Sequence, residues 1–325
     1  MPSMTWLITG GAGFIGAHVV RAMVEDGRGV VVLDDLSTGD PARLPDGVPL
    51  VEGSTLDRAL LDRVLKEHQV SGVLHIAAKK QVGESVEQPL RYYRENVEGL
   101  RVVLEAAAEA GVRRFLLSSS AAVYGMPDVD IVTEATPCAP MSPYGETKLI
   151  GEWLVRGVGR AHGMGTVALR YFNVAGAATA ELGDPGVFNL VPMVFERIDE
   201  GLPPLVFGDD YPTPDGTCIR DYIHVADVAT AHVAAVRRLE ADPDGTELVL
   251  NIGRGAGVSV REMLAVIGRV TGRDTAAEVV SRRPGDPARV VASADLITRE
   301  LGWTAEFSLE DMVSSAWAGW QVRHR

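Results

Sequence analysis

The chain has 325 residues, more than a single hydrophobic core usually organises, so one large or two fused domains are expected. It is 46% hydrophobic and 23% charged, with a net charge of -13 and no basic run, which disfavours nucleic acid and anionic membrane as partners. Its two cysteines, Cys138 and Cys218, cannot build a disulfide framework and have no metal-ligand spacing, so no metal site is expected and a reducing cytoplasm fits.

Met4 to Thr9 reads as a short buried strand. Its apolar character is broken at once by Gly10, Gly11, Gly13 and Gly16, so it reads as strand and turn, not as a signal peptide. No apolar run reaches the length of about 18 residues that a membrane span needs. A helix is expected over Ala17 to Glu25. Strand, glycine turn and helix form the context in which a backbone approaches a pyrophosphate. Gly29 to Leu33 is a second strand that ends in Asp34-Asp35. An acid about 20 residues past the glycines accepts hydrogen bonds from an adenosine ribose and repels a 2′-phosphate, which favours NAD over NADP.

Strands and helices then alternate. Strands are expected at Pro49 to Glu52, Gly72 to Ile76, Arg114 to Leu117 and Thr166 to Tyr171. Helices are expected at Asp57 to His68, Pro89 to Ala110 and Ser142 to His162. The pattern implies an α/β fold with a Rossmann-type, doubly wound parallel sheet, whose ligands bind at the strands' carboxyl ends. His75, inside an apolar strand, is read as structural. From about Ala175 to Asp221 the alternation lapses, which marks a smaller, mixed C-terminal region. Residues 1–174 are read as the NAD-binding domain and 175–325 as mainly substrate-binding. The two interleave, because Glu247 to Ile252 reads as a strand returning to the main sheet. Further helices are expected at His224 to Leu239, Val260 to Gly272, Ala294 to Leu301 and Leu309 to Trp320.

The chemistry centres on Tyr144 and Lys148, four residues apart and so on one helical face. An ammonium beside a phenol favours the phenolate and makes it a base. With Ser120 hydrogen-bonding the reacting oxygen and a nicotinamide as acceptor, these residues support NAD-dependent oxidation of a secondary alcohol.

The pair Gly10-x-x-Gly13-x-x-Gly16 and Tyr144-x-x-x-Lys148 resembles the extended short-chain dehydrogenase/reductases. Val82 to Val86, Ser118 to Gly125, Arg170 to Asn173, Asp210 to Thr217 and Arg220 to Val225 narrow the likeness to the UDP-glucose 4-epimerase family. That resemblance covers nearly the whole chain. It implies reversible epimerisation of UDP-glucose and UDP-galactose through a transient 4-keto sugar, with NAD tightly bound. It gives Tyr144 the role of base, Lys148 that of electrostatic partner, and Ser120 a place at oxygen 4. Gly10, Gly13, Phe14, Ile15, Gly16, Asp34 and Lys80 would hold the cofactor together with Tyr144 and Lys148. Asn173, Asn189, Leu190, Phe207, Arg220, Arg283 and Asp286 would hold the UDP-sugar.

Several positions depart from the family pattern. Ser54-Thr55 replaces an acid near the adenine, and Glu95-Asn96 replaces a pair of asparagines. Val290 stands where glucose-restricted members carry a bulky tyrosine, which leaves room for a 2-acetamido group and so for UDP-N-acetylglucosamine. Ala121-Ala122 stands where a 4,6-dehydratase carries its acid–base pair, and methyl groups cannot transfer protons. An epimerase of a UDP-uronate or UDP-pentose uses the same catalytic residues and differs only in its sugar pocket. A non-catalytic NAD sensor would typically lack Tyr144 or Lys148. The family's usual homodimer pairs the helices Pro89 to Ala110 and Ser142 to His162. Val102-Val103, Ala106-Ala107, Leu149 and Trp153 fit either that face or a core face.

Overall fold

The computed structural model describes residues 4–283 and 285–324. Its first half alternates as the periodicity requires: β1 (Thr5–Thr9), α1 (Phe14–Glu25), β2 (Gly29–Asp34), β3 (Leu50–Glu52), α2 (Arg58–Glu67), β4 (Val70–His75), α3 (Val82–Glu87), α4 (Pro89–Tyr92), α5 (Gly99–Glu109), β5 (Arg114–Ser120), α6 (Pro143–His162) and β6 (Gly165–Tyr171). Asp57 caps α2 by accepting the Leu60 N–H at 3.0 Å, and Ser142 caps α6 through the Gly145 N–H. Side-chain oxygens at these positions satisfy N–H groups that a helix start leaves unpaired. The second half contains β7 (Asn173–Ala175), α7 (Leu190–Asp199), β8 (Leu205–Phe207), β9 (Ile219–His224), α8 (Val225–Ala241), β10 (Glu247–Ile252), β11 (Gly257–Ser259), α9 (Val260–Thr271), β12 (Glu278–Val280), β13 (Arg289–Val290), α10 (Asp295–Leu301) and α11 (Leu309–Arg323).

The main sheet runs β10-β6-β5-β4-β1-β2-β3, and all its pairings are parallel. The strand order reverses between β4 and β1, the point at which such sheets open a crevice. Because successive side chains alternate, Trp6 and Ile8 face α1 and α8, while Leu7 faces the layer of α2, α5 and α6. Val102, Val103, Ala106 and Ala107 belong to that second core, so they are packing residues and are closed to a partner. Leu149 is buried too, whereas Trp153 is 54% exposed.

Strand β10 does return to the main sheet, pairing with β6 from Glu247↔Thr166 to Ile252↔Tyr171. A smaller sheet of β7, β9, β11 and β13 and the pair β8–β12 lie outside it. Of these strands, β7, β8, β9 and β11 share a core with α7, α9 and α11. The helix expected over Pro89 to Ala110 is not uniform: Tyr93–Glu98 widens into a π-helical turn between α4 and α5. Two helices escaped the sequence reading, α3 and α7.

Candidate active site

Strand β1 runs directly into the glycine turn. Gly10 has φ +73° and lies so close to the Ala77 backbone that a Cβ would sit 2.7 Å from its nitrogen. At Gly16 a Cβ would sit 2.0 Å from the Gly10 carbonyl. No side chain caps α1, whose N-cap is Gly13, so its first-turn N–H groups remain available to an anion. Asp34, at the end of β2, is buried and accepts from the Ala12 N–H and the Leu36 N–H, both at 2.9 Å. Burial raises its pKa, and those two N–H groups oppose the rise. Two carboxylate oxygens offer about four lone-pair sites, so acceptor capacity is left over for ribose hydroxyls. Lys80 Nζ lies 6.0 Å from the Phe14 ring centroid, on the flank of the same turn. These residues fit a dinucleotide.

Tyr144 and Lys148 occupy the first two turns of α6, both buried. Lys148 Nζ donates to the Ser118 carbonyl at 2.8 Å and lies 5.9 Å from the Tyr144 ring centroid. Burial lowers the lysine pKa to about 8, and the negative charge of Glu152 resists the fall. A group with that pKa is still roughly nine-tenths protonated at pH 7. Burial raises the Tyr144 pKa, and the Ser120 hydroxyl beside it pulls the other way. Ser120 ends β5 and faces Tyr171 in the ladder. Its Oγ also accepts the Ala122 N–H at 3.2 Å, where the chain turns through Ala121 and Ala122.

Further along α6, Glu152 lies one more turn from Lys148 on the same face. It accepts both Arg170 Nε (2.8 Å) and Nη2 (2.6 Å), as well as the Ser119 hydroxyl at 2.5 Å. Arg170 also donates to the Tyr124 hydroxyl at 2.9 Å, which donates to Asn251 at 2.6 Å. The sequence reading missed this network, although the spacing 144, 148, 152 puts Glu152 on the helical face of Tyr144 and Lys148. Asn96 is buried, and its side-chain amide bonds both the N–H and the carbonyl of Lys79 and reaches Thr147 on α6.

A cavity of about 200 Å³ opens among β7, α7, β8 and β9. Asn173, Asn189, Leu190, Phe207, Arg220, Arg283 and Asp286 all line it, together with Phe188, Cys218 and Tyr222. Asn173, which lines the cavity, lies two residues beyond Tyr171, the ladder partner of Ser120. The two guanidinium groups are held differently. Arg220 Nη2 reaches Asp286 at 3.4 Å, whereas Arg283 lies 3.7 Å over the Phe207 ring centroid. Val290 pairs with Arg220 across β13 and β9 and packs with Val123, Tyr124 and Phe172, outside the cavity lining. Ser54 accepts the Leu56 N–H at 3.2 Å within its own loop. His75 is buried, bonds Thr9 Oγ1 at 2.9 Å, and is held neutral by burial, its pKa lowered to about 3. No group of His, Cys, Asp and Glu among the described residues could hold a metal ion.

Comparison with known proteins follows the same lines. Residues 6–253 match the profile of the NAD dependent epimerase/dehydratase family. The UDP-glucose 4-epimerase of Azospirillum brasilense is 44% identical over 97% of this chain and 91% of its own length. That of Streptomyces lividans is 44% identical over 98% of this chain and 96% of its own. The solved UDP-glucose 4-epimerase from Stenotrophomonas maltophila, with bound NAD and formylated UDP-arabinopyranose, superposes with a TM-score of 0.95 at 39% identity, covering 99% of each chain. The glycine turn, the buried Tyr144–Lys148 pair and full-length likeness therefore place this chain in the NAD dependent epimerase/dehydratase family, among its UDP-glucose 4-epimerases.

Proposed function

We propose that this chain interconverts UDP-glucose and UDP-galactose at carbon 4, with NAD resident at the glycine turn. The observation that carries this reading is the junction at Asn173. The chain runs from Tyr171, paired with Ser120, to Asn173 in the lining of a cavity that presents two arginines and an aromatic face. Bound NAD supplies oxidation of the sugar at carbon 4 and its reversal. The chain's own residues do the rest. Tyr144 takes the proton of the 4-hydroxyl and later returns it. Lys148 favours the phenolate by charge, and Ser120 steadies oxygen 4 by hydrogen bonding. Arg220 and Arg283 offer paired donors to a diphosphate. Phe207 offers a stacking face to a pyrimidine base. Ala121 and Ala122 provide no proton-transfer group beside Ser120, so the 4-keto sugar is reduced again and does not lose water.

N-acetylated sugars are a second reading. It rests on a 34% identical structure described as a UDP-Glc/GlcNAc 4-epimerase from Campylobacter jejuni, and not on Val290, which lies outside the cavity lining. We further infer a homodimer, because Val86, Leu90 and Trp153 expose apolar side chains on the neighbouring helices α3, α4 and α6. The unpaired thiols Cys138 and Cys218 fit a cytoplasmic enzyme.

Coupled assays on UDP-galactose, UDP-N-acetylgalactosamine and UDP-glucuronate in parallel test the substrate. Turnover of UDP-galactose is expected, and a protein active only on the uronate would refute the main reading. Tyr144→Phe should cut turnover by about 10²–10⁴-fold, the usual contribution of a general base. NAD should stay bound, as read from absorbance of the purified protein. Full activity in this variant would mean that another residue is the base.

A further inference from the structure

Lys79 has no part in the account so far, yet its placement is unusual. It follows β4, and its backbone is clamped on both sides by one side chain. Asn96 Oδ1 accepts its N–H at 2.8 Å, and Asn96 Nδ2 donates to its carbonyl at 3.0 Å. Asn96 is itself tied to Thr147 on the catalytic helix at 3.1 Å. The base of Lys79 is thus fixed from α6, the helix that carries Tyr144 and Lys148.

Its side chain goes the other way. Nζ donates to Ser37 Oγ at 2.9 Å and lies 4.0 Å from Asp35 Oδ2. Ser37 is an ordered anchor, because Asp35 Oδ1 accepts both its N–H (3.0 Å) and its hydroxyl (2.6 Å). Ser37 and Asp35 belong to the loop after β2. In the sheet, β1 lies between β4 and β2. A side chain that leaves the loop after β4 and ends on the loop after β2 must therefore cross the carboxyl end of β1. That end is the glycine turn, and so Lys79 spans the crevice over it. Although long and charged, the side chain is only 19% exposed.

We propose that Lys79 is a cationic strap over the dinucleotide cleft, which retains NAD by closing over the pyrophosphate and adenosine end. A net charge of -13 repels an anionic cofactor at long range, and Asp34 and Asp35 add to that repulsion close by. An ammonium held over the turn offsets it where the phosphates lie. It also supplies donors for charge-assisted hydrogen bonds. The strap is separate from the Tyr144 chemistry and makes a retention device, not a catalytic one.

The test uses holoenzyme loaded with radiolabelled NAD and chased with excess unlabelled NAD. Lys79→Met should release label roughly tenfold faster, the effect of losing one charge-assisted hydrogen bond. Added salt should accelerate release less in this variant than in the native protein, because the screened charge has gone. Lys79→Arg should restore slow release. A Lys79→Met protein that releases NAD within twofold of the native rate would overturn the proposal. A lowered melting temperature with unchanged release would overturn it equally, since Lys79 would then only brace two loops. The proposal rests on NAD binding at this turn, which the native chase tests separately: native protein that retains no label would refute the cofactor site itself.

Discussion

At the scale of single residues, the buried pair Glu152–Arg170 stands one helical turn beyond Lys148 on α6. Both side chains are over nine-tenths buried, and Arg170 engages the carboxylate with two nitrogens. Burying two charges is costly, so this pair is weak evidence of stability in itself, but breaking it strands a guanidinium. Glu152→Gln should therefore lower unfolding free energy by about 3–5 kcal/mol, read from urea denaturation. Replacing both partners by methionine should recover much of that loss. A structural role alone would end there. Glu152 also raises the pKa of Lys148, four residues away. Without it the ammonium titrates at lower pH, so the alkaline limb of the kcat/KM profile should move toward neutrality. An unmoved limb would confine Glu152 to packing. The placement of Tyr144, Lys148 and Asp34 was legible in the sequence because it is local: a helical spacing, or an acid at a strand end. Arg170 was not. Its partner lies on another element, and an arginine inside an apolar strand gives no sign of which carboxylate it meets.

At the scale of elements, most of the sheet and its helices could be read from periodicity and caps. The failures have physical causes. Helix α3 is only six residues long, and Val82-Gly83-Glu84-Ser85 has weak helical propensity. Helix α7 carried the right signal, with Val191, Val194, Phe195 and Ile198 at helical spacing. Pro192 falls within its first turn, where the missing N–H costs nothing, yet it reads as a breaker. The widened turn at Tyr93–Glu98 left no trace in sequence, and it carries Asn96, the residue that clamps Lys79. Nor could a sequence tell which helical stripe faces the core. The structure gives Val102, Val103, Ala106 and Ala107 to the interior and leaves Val86, Leu90 and Trp153 outside. If those three meet a second copy, Trp153→Glu should shift the protein from dimer to monomer in light scattering and leave the fold intact by circular dichroism. A native protein that is already monomeric would remove the dimer from the account.

For the whole molecule, buried histidines tie its layers together and set its acid limit. His75 bonds β4 to Thr9 of β1, and His232 bonds α8 to Ser118 of β5. His18 of α1 accepts the Ala178 N–H, and His224 bonds Ser315 of α11. Burial lowers their pKa values to about 4 for His18, His224 and His232, and to about 3 for His75. An unfolded histidine titrates near 6.5. Below that pH the unfolded chain binds protons that the native chain refuses, so the unfolded state gains and stability falls. The stabilisation is complete above about pH 6.5 and is lost as pH drops toward 4. Each group can contribute a slope of about 1.4 kcal/mol per pH unit within that window. Asp221 opposes the trend, since burial raises its carboxyl to about 6 and the native state then binds a proton first. Asp34 and Asp227 are raised by burial as well. All three carboxylates accept backbone N–H groups that favour the charged form, three of them at Asp221. His18 and His224 each accept a backbone N–H on a ring nitrogen, a role that protonation would remove. Their sum should win, so the urea midpoint should be level from pH 8 to 7 and fall clearly between pH 6.5 and 5. His232→Gln should flatten that fall, because one proton fewer is taken up on unfolding. A midpoint that holds or rises on acidification would show that the buried carboxyl groups dominate instead.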